Sequence, residues 1–234
     1  MNVRVSPGVN TYVGTWQPTA LATADEAAPA GRPWVRRTVT IAFNVAGAAG
    51  AAFFLRASVR YFLATHQFVG GLFVAEQLWL VGAFLLRRPA IAVDRRPGTW
   101  LVAFAALVGL LYRPQGVHPS WGLVTGDILQ LAGAVLCLAA LLALGRSFGY
   151  VAADRGLRTG GPYAVVRHPV YASYLVMQVG YVLQAVSVRN LVIFVLATGV
   201  NAARALAEER LMLRTAPYAV YAGRVRWRFV PGVW

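Results

Sequence analysis

The chain alternates long apolar stretches with short polar breaks rich in arginine and proline. Six apolar runs stand out: Val39–Leu55, Phe68–Leu86, Thr99–Tyr112, Thr125–Leu144, Tyr171–Val186 and Asn190–Ala207. A membrane-spanning helix needs about 20 mostly apolar residues, so the pattern predicts a set of such helices. The third and fifth runs are short for that role. Arg87-Arg88-Pro89, Arg113-Pro114 and Arg167-His168-Pro169 break the pattern between runs. The expected fold is all-α: a polytopic transmembrane helical bundle of five to six segments. Its last two segments form a helical hairpin over 171–207, turning at Ser187-Val188-Arg189-Asn190. A hairpin brings its two ends together, so residues near 168 are expected to meet residues near 208. The expected organisation is an N-terminal arm over 1–37, four membrane helices over 38–144, and a functional region over 145–234.

Composition supports the membrane reading. Of 234 residues, 58% are apolar and 13% charged, where a soluble domain has about 25% charged. A globule this small cannot hide so much apolar surface, whereas a bilayer can.

Charge gives the bundle a direction. The net charge is +14, and all 22 basic residues are arginine, a usage that fits a GC-rich coding sequence and the plasma membrane of a bacterium. The arginines sit between apolar runs and form no stripe or tail, which argues against a nucleic-acid partner. If all six runs span and the C-terminus is cytoplasmic, 18 arginines fall inside. Only Arg56, Arg60, Arg113 and Arg189 fall outside. The positive-inside rule favours that arrangement, with both termini cytoplasmic. It also places the two most polar segments, 145–170 and 208–234, on one side.

Residues 1–37 contain Pro7, Pro18, Pro29, Pro33 and the acidic pair Asp25-Glu26. They lack the charged start and short apolar core of a signal peptide. Cys137, the single cysteine, lies inside an apolar run and reads as a small buried residue, and no metal-binding pattern is present. The spacing of Gly145 and Gly149 is a weak helix-packing signal. Asp127 reads as a carboxylate near a helix N-terminus. Glu76 interrupts the second run, with a structural partner and a functional role both open.

Three clusters could carry chemistry. Gly160-Gly161-Pro162-Tyr163-Ala164-Val165-Val166-Arg167-His168-Pro169-Val170-Tyr171 is a shaped interfacial segment with an arginine, a histidine and two tyrosines. Arginine and protonated histidine hold carboxylates or phosphates, and tyrosine offers a ring face to an aromatic or a cation. Read as a lone loop, it is a topology arginine within an aromatic belt. On the sixth run, Asn201, Arg204 and Glu208 lie within about 60° of one face, with Glu209 about 100° from Glu208. Such a stripe avoids lipid and faces the bundle interior; its plainer reading is an Arg204–Glu208 surface pair. The tail from Pro217-Tyr218 and Tyr221 through Arg224, Arg226, Trp227, Arg228, Phe229 and Pro231 suits a segment on the membrane face. It either covers a ligand or anchors to anionic lipid.

From Leu144 to Trp234 the chain resembles the isoprenylcysteine carboxyl methyltransferases and their relatives, the membrane phospholipid and thiol methyltransferases. The matching stretches are Leu144-Gly145-Arg146-Ser147-Phe148, Gly161-Pro162-Tyr163, Arg167-His168-Pro169-Val170-Tyr171 and Glu208-Glu209-Arg210-Leu211. Tyr218 with Tyr221 before Arg228-Phe229-Val230-Pro231 completes them. The resemblance implies S-adenosyl-L-methionine at the cytoplasmic face and a lipid-like or small methyl acceptor, foremost an isoprenylcysteine-type carboxylate. It implies that Tyr163, Arg167, His168, Pro169, Tyr171 and Tyr218 line the cofactor pocket, with Glu208 or Glu209 accepting from the cofactor. Asn201, Arg204 and Glu208 are the implied catalytic residues, Arg204 holding the acceptor carboxylate. Membrane lipids are the expected surroundings, and no obligate protein partner is indicated. Ala172-Ser173 replaces a glycine common in relatives, which is expected to reshape the pocket entrance. Phospholipid-amine and thiol methyl transfer stay open as alternatives, as does an NADPH-dependent sterol-reductase-like enzyme.

Overall fold

A computed structural model describes residues 33–234 apart from 67, 89, 91, 94–95, 106–107, 109–110, 113–115 and 150–152. The expected arm over 1–37 lies almost wholly outside the described residues. Contacts divide the chain into two units, Met1–Val39 and Thr40–Trp234, and the second holds every side chain discussed below.

Among the described residues, seven α-helices run in chain order: α1 Pro33–Thr65, α2 Phe68–Leu86, α3 Pro97–Ala105, α4 Ser120–Leu144, α5 Pro169–Gln184, α6 Val188–Met212 and α7 Ala216–Arg224. Among the described residues, three stretches are long and apolar enough to cross a membrane: Thr40–Ala64, Ser120–Ser147 and Val188–Met212. Their outward faces carry large exposed apolar side chains such as Phe53, Trp121, Ile128, Val188 and Val195. Water would penalise that surface and lipid tails do not. The chain is an integral membrane protein of all-α class, as its apolar runs predict.

Several boundaries differ from expectation. Arg56 and Arg60, expected in a loop, lie within α1, because helix continues well past the apolar run. Over the described residues α3, at the third run, has nine residues, about 13 Å at helical rise, and α5 has 16 residues, about 24 Å. Both fall short of a hydrocarbon core of about 30 Å. Asp127 is not at a helix start: Pro119 and Ser120 open α4 two turns earlier, and the Asp127 carboxylate accepts from Gln184 Nε2 at 2.6 Å.

The α5–α6 turn is Ala185–Ser187 rather than 187–190. Ser187 caps α6 by accepting from the Asn190 backbone N–H at 3.2 Å, a standard N-cap arrangement. Fully buried Asn190 donates through Nδ2 to Ala185 O at 2.8 Å, closing the turn.

Although α5 and α6 are hairpin neighbours, α5 packs most extensively along α4, and glycines make that possible. A Cβ on Gly122 would lie 2.3 Å from Leu183 O, on Gly126 2.5 Å from Gly180 O, and on Gly180 2.7 Å from Gly126 O. Gly122-x-x-x-Gly126 is therefore the small-xxx-small spacing that lets two backbones touch. Gly145 meets nothing within 4 Å; its φ of +53° serves the turn that ends α4. Ala172 and Ser173 are buried, and the Gly133–Ser173 approach places that stretch against α4 rather than at a pocket entrance.

Backbone pairs tie the loops at each end of the bundle. At one end Val117 bridges Val186. At the other, Arg88 N–H donates to Arg146 O at 2.8 Å, and the strand β1, Ala92–Val93, pairs antiparallel with β2, Ala153–Asp154. The second end carries the polar clusters.

Candidate functional site

The 160–171 segment is shaped by two imposed backbone choices. Gly161 has φ +62°, a conformation a side chain resists. Pro162 then starts a single helical turn, Gly161–Ala164, that buries Tyr163. Pro169 opens α5, where the missing N–H costs nothing. Between them, Arg167 and His168 donate their backbone N–H groups to Trp227 O and Arg228 O at 2.8 and 2.9 Å. The tail is thus stitched to the entrance of α5, and its end folds on itself, with Arg228 and Phe229 N–H both reaching Trp234 O at 2.9 Å.

The end of α6 meets this segment, as the hairpin argument requires. Buried Glu209 accepts from His168 Nε2 at 3.2 Å, Arg167 at 3.1 Å and Arg228 Nε at 3.0 Å. Glu208, one position earlier, bonds the Tyr171 hydroxyl and lies 3.7 Å from His168 Nδ1. His168 therefore sits between two carboxylates and stacks on Tyr171, ring centroids 5.7 Å apart. The Arg204 guanidinium lies over the Tyr171 ring, 5.2 Å from its centroid. Tyr221 closes the group from α7 by donating to Tyr163 O at 2.7 Å.

Arg167, His168, Tyr171, Arg204, Glu208 and Tyr221 line a cavity of about 490 Å³. Its polar end is formed by Arg155, Arg158, Tyr163, Arg167, His168, Tyr171, Arg204, Glu208, Tyr218 and Tyr221. Its apolar end is formed by Phe43, Ala46, Gly47, Gly50 and Phe54 of α1 and by Leu80 and Phe84 of α2. Small residues on α1 leave that space open: a Cβ on Gly50 would meet nothing within 4 Å, while one on Gly47 would strike Phe84 at 2.3 Å.

Burial sets the electrostatics. It pushes the Tyr163 and Tyr218 hydroxyls well above their ordinary values, helped by Glu208 and Glu209 respectively. It pushes Tyr221 up to about 12. All three are neutral donors at any physiological pH. Burial, with Arg87 nearby, brings the Arg155 guanidinium down to about 10, still charged near neutrality. Two buried donors on the cavity wall, Arg155 Nη1 and Arg167 Nε, have no hydrogen-bond partner. Orphaned buried donors are uncommon, and each is of a kind that an anionic ligand group accepts from.

The expected site residues divide. Tyr163, Arg167, His168, Tyr171, Arg204, Glu208 and Tyr218 line the cavity. Pro169 is fully buried behind them. Glu209 does not line the cavity, because its oxygens are taken by Arg167, His168 and Arg228. Asn201 is buried one turn deeper on α6 and is not a lining residue. Sequence reasoning missed Arg155, Arg158, Tyr174 and the α1–α2 wall. Gly50 is the sequence sign of space beside a helix, whereas Gly47 marks close packing on Phe84. Glu76 has a structural partner, the Cys137 thiol at 3.6 Å, and Cys137 is fully buried as expected.

Comparison with known proteins agrees with the motifs. No curated protein matches the chain. The chain is similar to a solved structure of the eukaryotic intramembrane Ras methyltransferase ICMT (isoprenylcysteine carboxyl methyltransferase). That likeness has 18% identity and a TM-score of 0.45, and covers 87% of this chain and 88% of that one. The family model for phospholipid methyltransferases matches residues 121–216. The matched stretch runs from the first turn of α4 to the first residue of α7 and overlaps the motifs from Leu144 onward.

Proposed function

We propose that the protein transfers a methyl group from S-adenosyl-L-methionine to a lipophilic acceptor at the membrane face. The observation that carries this reading is a cavity lined both by charged residues and tyrosines and by apolar residues of α1 and α2. Its volume lies in the range of small-molecule sites.

The residues present fit the cofactor. S-adenosyl-L-methionine supplies an electrophilic methyl on a sulfonium centre when bound. Arg155 and Arg167 offer unpartnered N–H groups to a carboxylate. Glu208 accepts from an ammonium or a ribose hydroxyl. The tyrosine rings offer faces to a sulfonium or a base. Glu209 holds Arg167 and His168 in place and orients the pocket without touching the ligand. Methyl transfer is an in-line displacement, so these residues act by positioning and by fixed charge.

A carboxylate acceptor of the isoprenylcysteine type is favoured. It needs no proton removed before attack, and Arg204 stands on the cavity wall to hold it. Amine or thiol acceptors remain the alternative within this reading. The arginine distribution favours a cytoplasmic site and cytoplasmic termini.

Saturable binding of tritiated S-adenosyl-L-methionine to purified protein is expected, weakened about ten- to a hundredfold in Glu208→Gln, since a charge-assisted hydrogen bond contributes about 1.5–3 kcal/mol. Saturable NADPH binding without S-adenosyl-L-methionine binding would overturn the proposal in favour of a reductase.

A further inference from the structure

From Arg210 to Trp234 the chain carries five arginines and no acidic residue. Arg228 is engaged by Glu209, whereas Arg210, Arg224 and Arg226 are exposed. Exposed apolar side chains lie among them: Leu213, Val220, Trp227 and Val233, the last 76% exposed.

Helix α7 is two-faced. Tyr218 and Tyr221, three apart, are buried against the cavity. Val220, about 160° round the helix from Tyr218, and Arg224, on the last turn, are exposed. Two tethers hold this element at the bundle end. Three residues separate it from Met212, the end of a membrane-capable helix, a gap of roughly 10 Å. The tail is also hydrogen-bonded to Arg167 and His168 at the head of α5. A mixed cationic and apolar face held at that height meets lipid headgroups.

We propose that the outer face of α7 and the tail dock on an anionic lipid leaflet, and that docking holds Tyr218 and Tyr221 against the cavity. The partner is the lipid surface itself, chosen by charge complementarity: the face has cations and no carboxylate to repel an anionic headgroup. A plain topology role for these arginines ends at membrane insertion and leaves the folded protein indifferent to lipid charge. Docking does not depend on what the cavity binds, so this proposal and the proposed activity fail separately.

The test uses the full-length protein in nanodiscs of phosphatidylcholine, with or without phosphatidylglycerol. A Val233→Cys variant carries a polarity-sensitive fluorophore; Cys137 is buried. The probe is expected to shift to the blue in the anionic discs and to return with added salt. Amides over 216–224 are expected to exchange more slowly there. One arginine near an anionic surface contributes about a factor of five, so Arg224→Gln with Arg226→Gln should weaken docking about thirtyfold. The Arg224→Lys, Arg226→Lys pair should restore it, which separates charge from folding. Equal emission and equal exchange in both disc types would overturn the proposal, as would a shift unchanged by the glutamine pair.

Discussion

Adjacent residues with the same side chain carry different work at this site. Glu208 faces the cavity, whereas Glu209 is enclosed by Arg167, His168 and Arg228. Removing the buried carboxylate leaves cations without their counter-charge, a change that costs about 3–5 kcal/mol. Glu209→Gln is therefore expected to lower the thermal midpoint markedly, read by a dye-based melt in detergent. Glu208→Gln is expected to leave that midpoint nearly in place and lose ligand binding instead. Tyr221→Phe removes one buried hydrogen bond, to Tyr163 O, and should cost about 1 kcal/mol. The sign of its pH dependence follows from the raised hydroxyl. The neutral form is the one favoured by folding, so its contribution is whole below the ordinary tyrosine range and is lost only as pH rises through about 12. The Tyr221→Phe deficit in melting temperature should accordingly be the same at mildly acidic and mildly alkaline pH.

At the scale of elements, the α4–α5 contact is the joint that sets where α5 begins, and hence where His168 and Tyr171 stand. Its glycines leave no room: Gly126→Leu would drive a side chain into Gly180 O and Gln184. Overpacking of that kind costs about 1–3 kcal/mol or more, and a lower melting temperature with loss of monodisperse elution is expected. Gly199 on α6 meets nothing within 4 Å. Gly199→Ala should be neutral, or stabilising by up to about 1 kcal/mol through helix propensity, which makes it the matched control. The spacing of Gly122 and Gly126 was legible in the chain. Its partner was not, because a helix-packing motif names a close approach without naming the helix that approaches.

For the whole molecule, the cavity joins helices from both ends of the chain. The α1–α2 wall is its apolar half, and Gly50 borders open space. Gly50→Leu is expected to raise the KM for a prenylated acceptor about tenfold or more while leaving S-adenosyl-L-methionine affinity within about twofold, a split read from paired kinetics and equilibrium binding. A tenfold change corresponds to about 1.4 kcal/mol, the scale of a displaced apolar contact. Equal loss of both affinities would place α1 outside the acceptor end.

Periodicity and composition alone determined that this is a helical membrane protein with its charged chemistry near the end of the chain. Apolar runs long enough to span have one physical solution in lipid, and a polar stripe on such a helix must turn inward. The convergence of 168 with 208 was legible for the same reason, since a short turn leaves a helical hairpin little choice. Tertiary structure decided what depends on distance: that Glu209 is spent on ion pairs and Glu208 is not, that Asn201 stops short of the cavity, and that Arg155, Arg158 and α1 complete it. These are matters of a few ångströms between segments far apart in the chain. Hydrophobic pattern carries no information at that resolution, because lipid-facing and cavity-facing apolar residues look alike until the helices are packed.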